Sequence, residues 1–178
     1  MYRFRLIQRK PLLAAFLIAS LIFLLDQFTK MQVVQNLYLG QRNELTVFFN
    51  LVHVRNYGAA FSFLSEAGGW QRWFLTIISA FASMVIVYWI KKSDEKKYLE
   101  TLSLIIILGG ALGNFYDRLI LGYVIDFLDF HWSGVHFPAF NIADTAITIG
   151  AILFIADNLI FSPVSYTHLT LPTTWLVE

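Results

Sequence analysis

The chain has 178 residues, of which 57% are hydrophobic and only 14% are charged, and its mean hydropathy is +0.61. Such a composition excludes an ordinary soluble domain, because too few polar residues remain to cover its surface, and it favours an integral membrane protein. The near balance of 13 basic and 12 acidic residues gives no indication of a nucleic-acid partner, and the absence of cysteine excludes thiol chemistry and disulfide bonds.

Four stretches are apolar for roughly the 20 residues that a helix needs to cross a bilayer. They are about residues 11–28, 70–90, 98–115 and 142–161. The first follows basic residues, as a signal peptide does, but it continues into "LLDQFTK" without a small-residue cleavage site, so we interpret it as a retained helix. The sequence thus predicts a mainly α membrane protein, a four-helix bundle forming one domain over residues 1–163. A tail of different composition, 164–178, is interpreted as non-native or disordered.

Basic residues mark one side of this bundle. Eight of the thirteen precede the first span or join the second to the third: Arg3, Arg5, Arg9, Lys10, Lys91, Lys92, Lys96 and Lys97. By the positive-inside rule this side is cytoplasmic, and both termini lie there. The two longer connections, residues 29–69 and 116–141, then face the extracytoplasmic side.

The first of these outer connections contains a predicted β segment. In "ELTVFFNLVHVRNYGAAFSFL", residues 44–64, β-branched and aromatic residues alternate loosely with polar ones, which indicates one or two strands. A sheet edge inside lipid would leave backbone amides unsatisfied, so we expect this segment to lie on the membrane surface. In the second connection we place His131 and His136 in a loop, and no histidine spacing predicts a metal site.

Polar residues gather near the predicted outer ends of the spans. A charged side chain at the centre of a membrane helix costs about 2.5–3.5 kcal/mol, so several at one depth indicate a common role. Asp26 and Lys30 lie four residues apart, and we expect a local ion pair. At the end of the third span, Asp117 and Arg118 are expected to bind other partners and support the structure.

Asp126 and Asp144 differ from the other carboxylates because neither has a basic residue within five positions. Two such groups brought together could not both ionise easily, so one would keep its proton. One could then activate water while its partner acts as an acid, as in aspartic peptidases. From spacing alone, a proton or ion path and a structural role remain open. Asp129, at an odd spacing from Asp126, is expected on the opposite, exposed face of a strand.

Small and amide residues could bring these two aspartates together. Gly109 and Gly113 form a small-xxx-small pattern that favours close packing of the third span on the fourth. This packing would carry the connection with Asp126 toward Asp144. Asn114 and Asn141 could orient the carboxylates, and Asn141 could equally be a helix cap.

Five segments in this order resemble bacterial lipoprotein signal peptidases (signal peptidase II, aspartic peptidase family A8). They are "LDQFTK" at 25–30, "NYGAAFSFL" at 56–64, "GGALGNFYDR" at 109–118, "VIDFLDF" at 124–130 and "FNIADTAI" at 140–147. The resemblance covers about residues 10–161. It implies an aspartic endopeptidase of the bacterial inner membrane, with its active site near the extracytoplasmic face.

The resemblance also implies the substrate and the roles of individual residues. The substrates would be prolipoproteins that carry diacylglyceryl on a cysteine, cut just before that cysteine by Asp126 and Asp144. Membrane lipids would surround a monomeric enzyme, and no metal or organic cofactor is expected, since two carboxyl groups supply acid and base. Matching positions that would shape the site or hold the substrate are Asp26, Lys30, Asn56, Gly110, Asn114, Asp117, Arg118 and Asn141.

The segment around Gly58 has a separate predicted role. Glycine permits a close backbone approach, so this segment could bind the signal peptide in extended form by strand addition. Two other classes of function use the same residues: a proton-coupled or ion-conducting protein, and a non-enzymatic assembly factor whose aspartates would tolerate replacement by asparagine.

Overall fold

The computed structural model describes residues 9–59, 63–65, 67–94 and 97–161, with the backbone alone for 9–12 and 161. The predicted tail at 164–178 and residues 60–62 of the predicted β segment lie outside this part of the chain. In chain order the elements are α1 (Arg9–Asn36), β1 (Arg42–Thr46), β2 (Phe49–Asn56), α2 (Gln71–Lys92), α3 (Tyr98–Ile120), β3 (Val124–Trp132), β4 (Val135–His136) and α4 (Ile142–Ala156), which continues into a π-helical turn (Asp157–Phe161).

Four helices in the described part of the chain are long and apolar enough to cross a bilayer, and the predicted fold class is confirmed. α1 is longer than predicted, since it runs through Asp26 and Lys30 to Asn36 instead of ending near Phe28. The Lys30 Nζ lies 2.7 Å from Asp26 Oδ2, one helical turn away. This local pairing explains why two charged residues do not end the helix.

α3 is the central helix and packs against each of the other three. One part of the core joins it to α1 and α2 through buried apolar side chains: Ala15, Ala19, Ile86, Ile90, Leu104, Ile105 and Leu108. Large apolar side chains on the outward faces, such as Leu17, Phe81 and Ile152, are exposed. This is the arrangement expected where lipid is the solvent for the outer surface of a bundle.

Glycines let α3 approach two neighbours closely. A Cβ on Gly110 would overlap the Ala143 carbonyl oxygen of α4, and one on Gly113 would lie 3.2 Å from the Ala143 Cβ. Gly109 instead faces α1, where a Cβ would lie 2.9 Å from the Ala19 carbonyl oxygen. The expected approach of α3 to α4 is therefore present, but Gly110 and Gly113 line it. It places the end of α3 beside the start of α4.

The strands form one antiparallel sheet in the order β1-β2-β3-β4. The placement of His131 and His136 in a loop was wrong, because they lie on β3 and β4 and pair with each other. β3 is buried along most of its length, and Ile125 and Phe127 pack against Val33 of α1. This packing fixes the sheet against one end of the bundle, next to the end of α1 and the start of α4.

Asp129 is buried, with 3% of its surface exposed, so the prediction of a surface residue was wrong. Asn50 Nδ2 donates to Asp129 at 2.8 Å, His136 Nδ1 lies 2.8 Å away, and Arg42 Nε lies at 3.5 Å. Burial alone would raise the pKa of Asp129, but the hydrogen bonds from Asn50 and His136 outweigh it and hold the pKa below its usual value. Partners on β1, β2 and β4 cover this carboxylate, and alternation along one strand could not reveal them.

The contact at Gly110 predicts a change in stability whose sign is informative. A glycine chosen only as a poor helix former would gain about 1 kcal/mol on replacement by alanine. Because a Cβ here overlaps the Ala143 carbonyl, we expect Gly110→Ala to lower the free energy of unfolding by about 1–3 kcal/mol. Equilibrium unfolding by SDS titration in detergent micelles measures the change, and an increase in stability would contradict the packing described.

Candidate active site

Lys30 is the centre of a buried charge network at the end of the bundle that carries the sheet. Its ammonium lies 2.7 Å from Asp26 and 2.8 Å from Asp117, and it donates to Asn114 Oδ1 at 3.2 Å. Lys30 is only 1% exposed, and Asp26, Asp117 and Asn114 are buried as well. The predicted pair of Asp26 and Lys30 is therefore present, and Asp117 of α3 is a second partner.

The two acidic partners of Lys30 also bind backbone. Asp26 Oδ1 accepts from the Ala143 N–H at 2.9 Å, and Asp117 Oδ2 accepts from the Ile125 N–H at 3.3 Å. The first bond joins α1 to the start of α4, and the second joins α3 to β3. The network thereby positions both elements that carry the predicted catalytic aspartates.

Asn114 and Asn141 link this network to Asp126 and Asp144. Asn114 Nδ2 donates to Asp144 Oδ1 at 2.7 Å, and Asn141 Nδ2 donates to Asp126 Oδ1 at 2.7 Å. Asn141 Nδ2 also lies 3.3 Å from Asn114 Oδ1. Two neutral amides in contact with each other thus hold the two carboxyl groups in one hydrogen-bonded cluster.

Asn141 has both roles that the sequence left open. Its Oδ1 accepts from the Asp144 N–H at 2.8 Å, which is a helix N-cap on α4. Its amide nitrogen is the donor to Asp126. The residue that starts the helix of Asp144 therefore also holds Asp126.

Asp126 is 2% exposed, and its second oxygen accepts from Asn56 Nδ2 at 3.0 Å. Strand pairing explains this contact, because Asn56 and Asp126 lie near one end of the β2–β3 ladder. Burial, followed by the nearby negative charge of Asp144, raises the pKa of Asp126 to about 7. Its carboxyl group can therefore carry a proton near neutral pH.

Arg118 and Gly58 connect the loop after β2 to the same cluster. Arg118 Nη2 donates to the Gly58 carbonyl at 3.1 Å, and the Gly58 N–H donates to Asn56 Oδ1 at 2.9 Å. A Cβ on Gly58 would overlap the Phe63 carbonyl oxygen. The backbone groups of Gly58 and the space beside it are thus occupied by this chain itself, which favours a loop-shaping role over strand addition at this residue.

One polar residue of the network, Gln27, is absent from the predicted site residues. Its Nε2 donates to Asp117 Oδ1 at 2.9 Å and to Asp26 Oδ2 at 3.1 Å. An amide directly beside an aspartate at membrane depth, inside "LDQFTK", was the available signal. Every predicted site residue lies in this cluster or lines the α3–α4 approach beside it.

The positions of the buried ionisable residues along the bundle disfavour an ion path across the bilayer. In the part of the chain that the structure describes, the buried ionisable side chains are Asp26, Lys30, His53, Asp117, Asp126 and Asp129. His53, Asp126 and Asp129 lie on the sheet, whereas Asp26, Lys30 and Asp117 lie inside the helices at the level of the first turn of α4, whose Ala143 N–H binds Asp26. A relay across the bilayer would need such groups along its length. No three acidic or histidine side chains in the same ranges are placed to hold a metal ion.

Comparisons with known proteins agree with this geometry. A family model described as Signal peptidase (SPase) II matches residues 18–160. The lipoprotein signal peptidase of Alteromonas mediterranea is 54% identical over 140 residues, covering 79% of this chain and 77% of the relative. That of Shewanella woodyi is 51% identical over 139 residues, covering 78% and 79%.

Solved structures are similar as well. A bacterial membrane enzyme determined by the in meso method at 2.3 Å resolution superposes with a TM-score of 0.75 at 36% identity, covering 82% of this chain and 87% of that one. A second, determined at 1.9 Å resolution, gives a TM-score of 0.73 at 35% identity and covers 84% and 94%. The likeness to each structure therefore covers more than four fifths of this chain.

The charge network predicts that Lys30 is essential for stability. Lys30→Met would leave Asp26 and Asp117 buried without a cation, so we expect the free energy of unfolding to fall by about 3–5 kcal/mol in SDS titration. A triple variant that also carries Asp26→Asn and Asp117→Asn should regain most of this loss, because no charge is left unpaired. Lys91→Met, at an exposed lysine, is the control and should change stability by about 0.5 kcal/mol or less. A triple variant as unstable as Lys30→Met would contradict this explanation.

Proposed function

The chain belongs to the signal peptidase II family of aspartic peptidases, and from this premise we propose that it removes signal peptides from prolipoproteins that carry diacylglyceryl on a cysteine. The proposed cut is the peptide bond just before that cysteine. The resemblance in the five sequence segments is confirmed by the family match over residues 18–160. The observation that carries the proposal is the pairing of Asp126 and Asp144 through Asn141 and Asn114.

In the proposed reaction Asp144 is the base and Asp126 is the acid. Asp144 takes a proton from a water molecule as the water oxygen attacks the scissile carbonyl carbon, and Asp126 gives its proton to the carbonyl oxygen. Asp144 then gives its proton to the leaving nitrogen, Asp126 takes one from the tetrahedral intermediate, and the C–N bond breaks. Both groups end in their starting states. The raised pKa of Asp126 supports this assignment, since it keeps the acid protonated near neutral pH.

The position of the site suits a substrate that is anchored by lipid. The two aspartates lie where α3 ends, α4 begins and β3 leaves the bundle, beside helix faces that expose large apolar side chains. A diacylglyceryl group held in the bilayer would keep the scissile bond at this depth. We further propose a bacterial inner-membrane location with cytoplasmic termini, on the charge distribution. A monomer suffices, because one chain carries both aspartates.

We propose that Arg118 binds the substrate in addition to holding the loop at Gly58. Two of its nitrogens bind the Asn114 and Gly58 carbonyls, while its buried Nε has no hydrogen-bond partner among the described residues. A buried donor without a partner costs free energy, so we expect a ligand to accept a hydrogen bond from this Nε. A substrate carbonyl beside Asp144 would do so.

The catalytic pair predicts a large loss of activity from isosteric changes. We expect Asp126→Asn and Asp144→Asn each to slow cleavage of a diacylated precursor by at least roughly 10³-fold, since an amide can neither accept nor return the proton. A gel-shift assay of purified variants measures the rate. Asp129→Asn is a matched control on the same strand, because Asp129 is also buried but binds Asn50, His136 and Arg42. It should cleave within a few-fold of wild type, and substantial cleavage by either catalytic variant would refute the proposed mechanism.

The proton on Asp126 predicts a pH dependence. Below about pH 7 the acid is protonated, and above it the proton is lost, so we expect kcat/KM to fall as the pH rises through 7. The fall should approach tenfold per pH unit at the alkaline end. Initial rates between pH 5.5 and 9 on one lipidated precursor test this, with Asp129→Asn expected to follow the wild-type profile. A flat profile from pH 6 to 9 would exclude Asp126 as the general acid.

A further inference from the structure

A crevice opens at the end of the bundle opposite to Asp126 and Asp144. It has a volume of about 320 Å³ and lies between the end of α2, the start of α3 and the π-helical turn after α4. This volume is at the lower end of the range for small-molecule sites, about 300–1,000 Å³. None of the residues that line it belongs to the charge network or to the catalytic pair.

The crevice is lined by charged, neutral polar and apolar side chains. Lys92 and Lys97 supply the positive charge, Ser93 and Asn158 supply neutral polar groups, and Trp89 and Phe154 supply the apolar surface. Trp89 is half exposed at the end of a membrane span, where aromatic rings prefer the interface between lipid and water.

The charges leave one lysine without an acidic partner. Lys97 is paired with Glu100, which lines the crevice, at 2.6 Å, and the negative charges of Asp157 and Asp94 also act on its ammonium. Lys92 forms no ion pair within the described ranges, and its Nζ lies 4.8 Å from the centre of the Tyr88 ring. Its ammonium donors therefore remain available to an anion. The positive-inside rule explains why lysines lie at this end of the bundle, but it does not explain why a crevice lies beside them.

The surroundings indicate what kind of anion would bind. The outward faces of α2 and α4 next to the crevice expose large apolar side chains, including Met84 and Ile152. An amphipathic molecule could place its headgroup in the crevice and its acyl chains along these faces. Basic pockets between the ends of membrane helices bind phospholipid headgroups in this way.

We propose that this crevice is a binding site for an anionic phospholipid such as phosphatidylglycerol. The phosphate would contact Lys92 and Lys97, and the glycerol hydroxyls would contact Ser93 and Asn158. Trp89 and Phe154 would pack against the upper acyl chains. The site is independent of peptide cleavage, because it lies at the other end of the bundle.

The test measures lipid binding to the purified full-length chain by native mass spectrometry, titrating dioleoyl phosphatidylglycerol against dioleoyl phosphatidylcholine. Each lysine near an anionic lipid contributes roughly a fivefold change in affinity, so the double variant Lys92→Gln, Lys97→Gln should bind phosphatidylglycerol about 30-fold more weakly. Glu100→Gln should bind it more tightly, since it removes the carboxylate and frees Lys97. Lys91→Gln, next to Lys92 but outside the crevice, should stay within twofold of wild type.

Three results would overturn the proposal. One is equal binding of phosphatidylglycerol by the double variant and wild type, and another is an equal loss in Lys91→Gln, which would indicate attraction to charge in general. The third is protection from thermal unfolding by soluble glycerol phosphate that matches protection by the lipid, which would make the crevice a site for a soluble anion. Unchanged cleavage of a lipidated precursor by all three variants shows that each is folded.

Discussion

The structure depends on one buried cation between two buried carboxylates. Lys30, Asp26 and Asp117 are each at most 1% exposed, and charges in such a medium interact strongly but are costly when unpaired. The three residues come from α1 and α3. Asp26 Oδ1 also binds the first turn of α4, and Asp117 Oδ2, which contacts Lys30, also binds the start of β3. Satisfying this one lysine therefore brings together α1, α3, α4 and β3, which include the elements that carry Asp126 and Asp144.

Neutral amides separate this cation from Asp126 and Asp144, the proposed catalytic pair. Asn114 presents its oxygen to Lys30 and its nitrogen to Asp144, so the charges on either side define the orientation of its amide. Asn141 is fixed in the same way between the Asp144 N–H and Asp126. The carboxyl groups are thus held by donors that carry no charge, and neither is neutralised by direct contact with a lysine.

Much of this could be predicted from the sequence, because the signals were strong or local. The spans follow from long apolar runs, and the pair of Asp26 and Lys30 follows from helical spacing. The full sheet could not be predicted, because the residues of β3 gave no indication of which strands pair with it. The partners of Asp129 lie on three other strands. The second acidic partner of Lys30 was not predicted for the same reason. Asp117 lies 87 positions further along the chain, and no local pattern links the two residues. Contacts within one element were predictable, whereas tertiary contacts were predictable only where glycines or asparagines in the span ends marked them, as at Gly113, Asn114 and Asn141.

The double role of Asn141 has a consequence for biogenesis. During synthesis α1, α2 and α3 leave the ribosome before α4, and Asp144 is positioned only when α4 docks against Gly110 and Gly113. The same docking brings in Asn141, which holds Asp126. In a partly inserted chain Asp144 is therefore not in place and Asp126 lacks the donor that holds it, so the pair that we propose to cleave peptide bonds is assembled only when α4 is inserted.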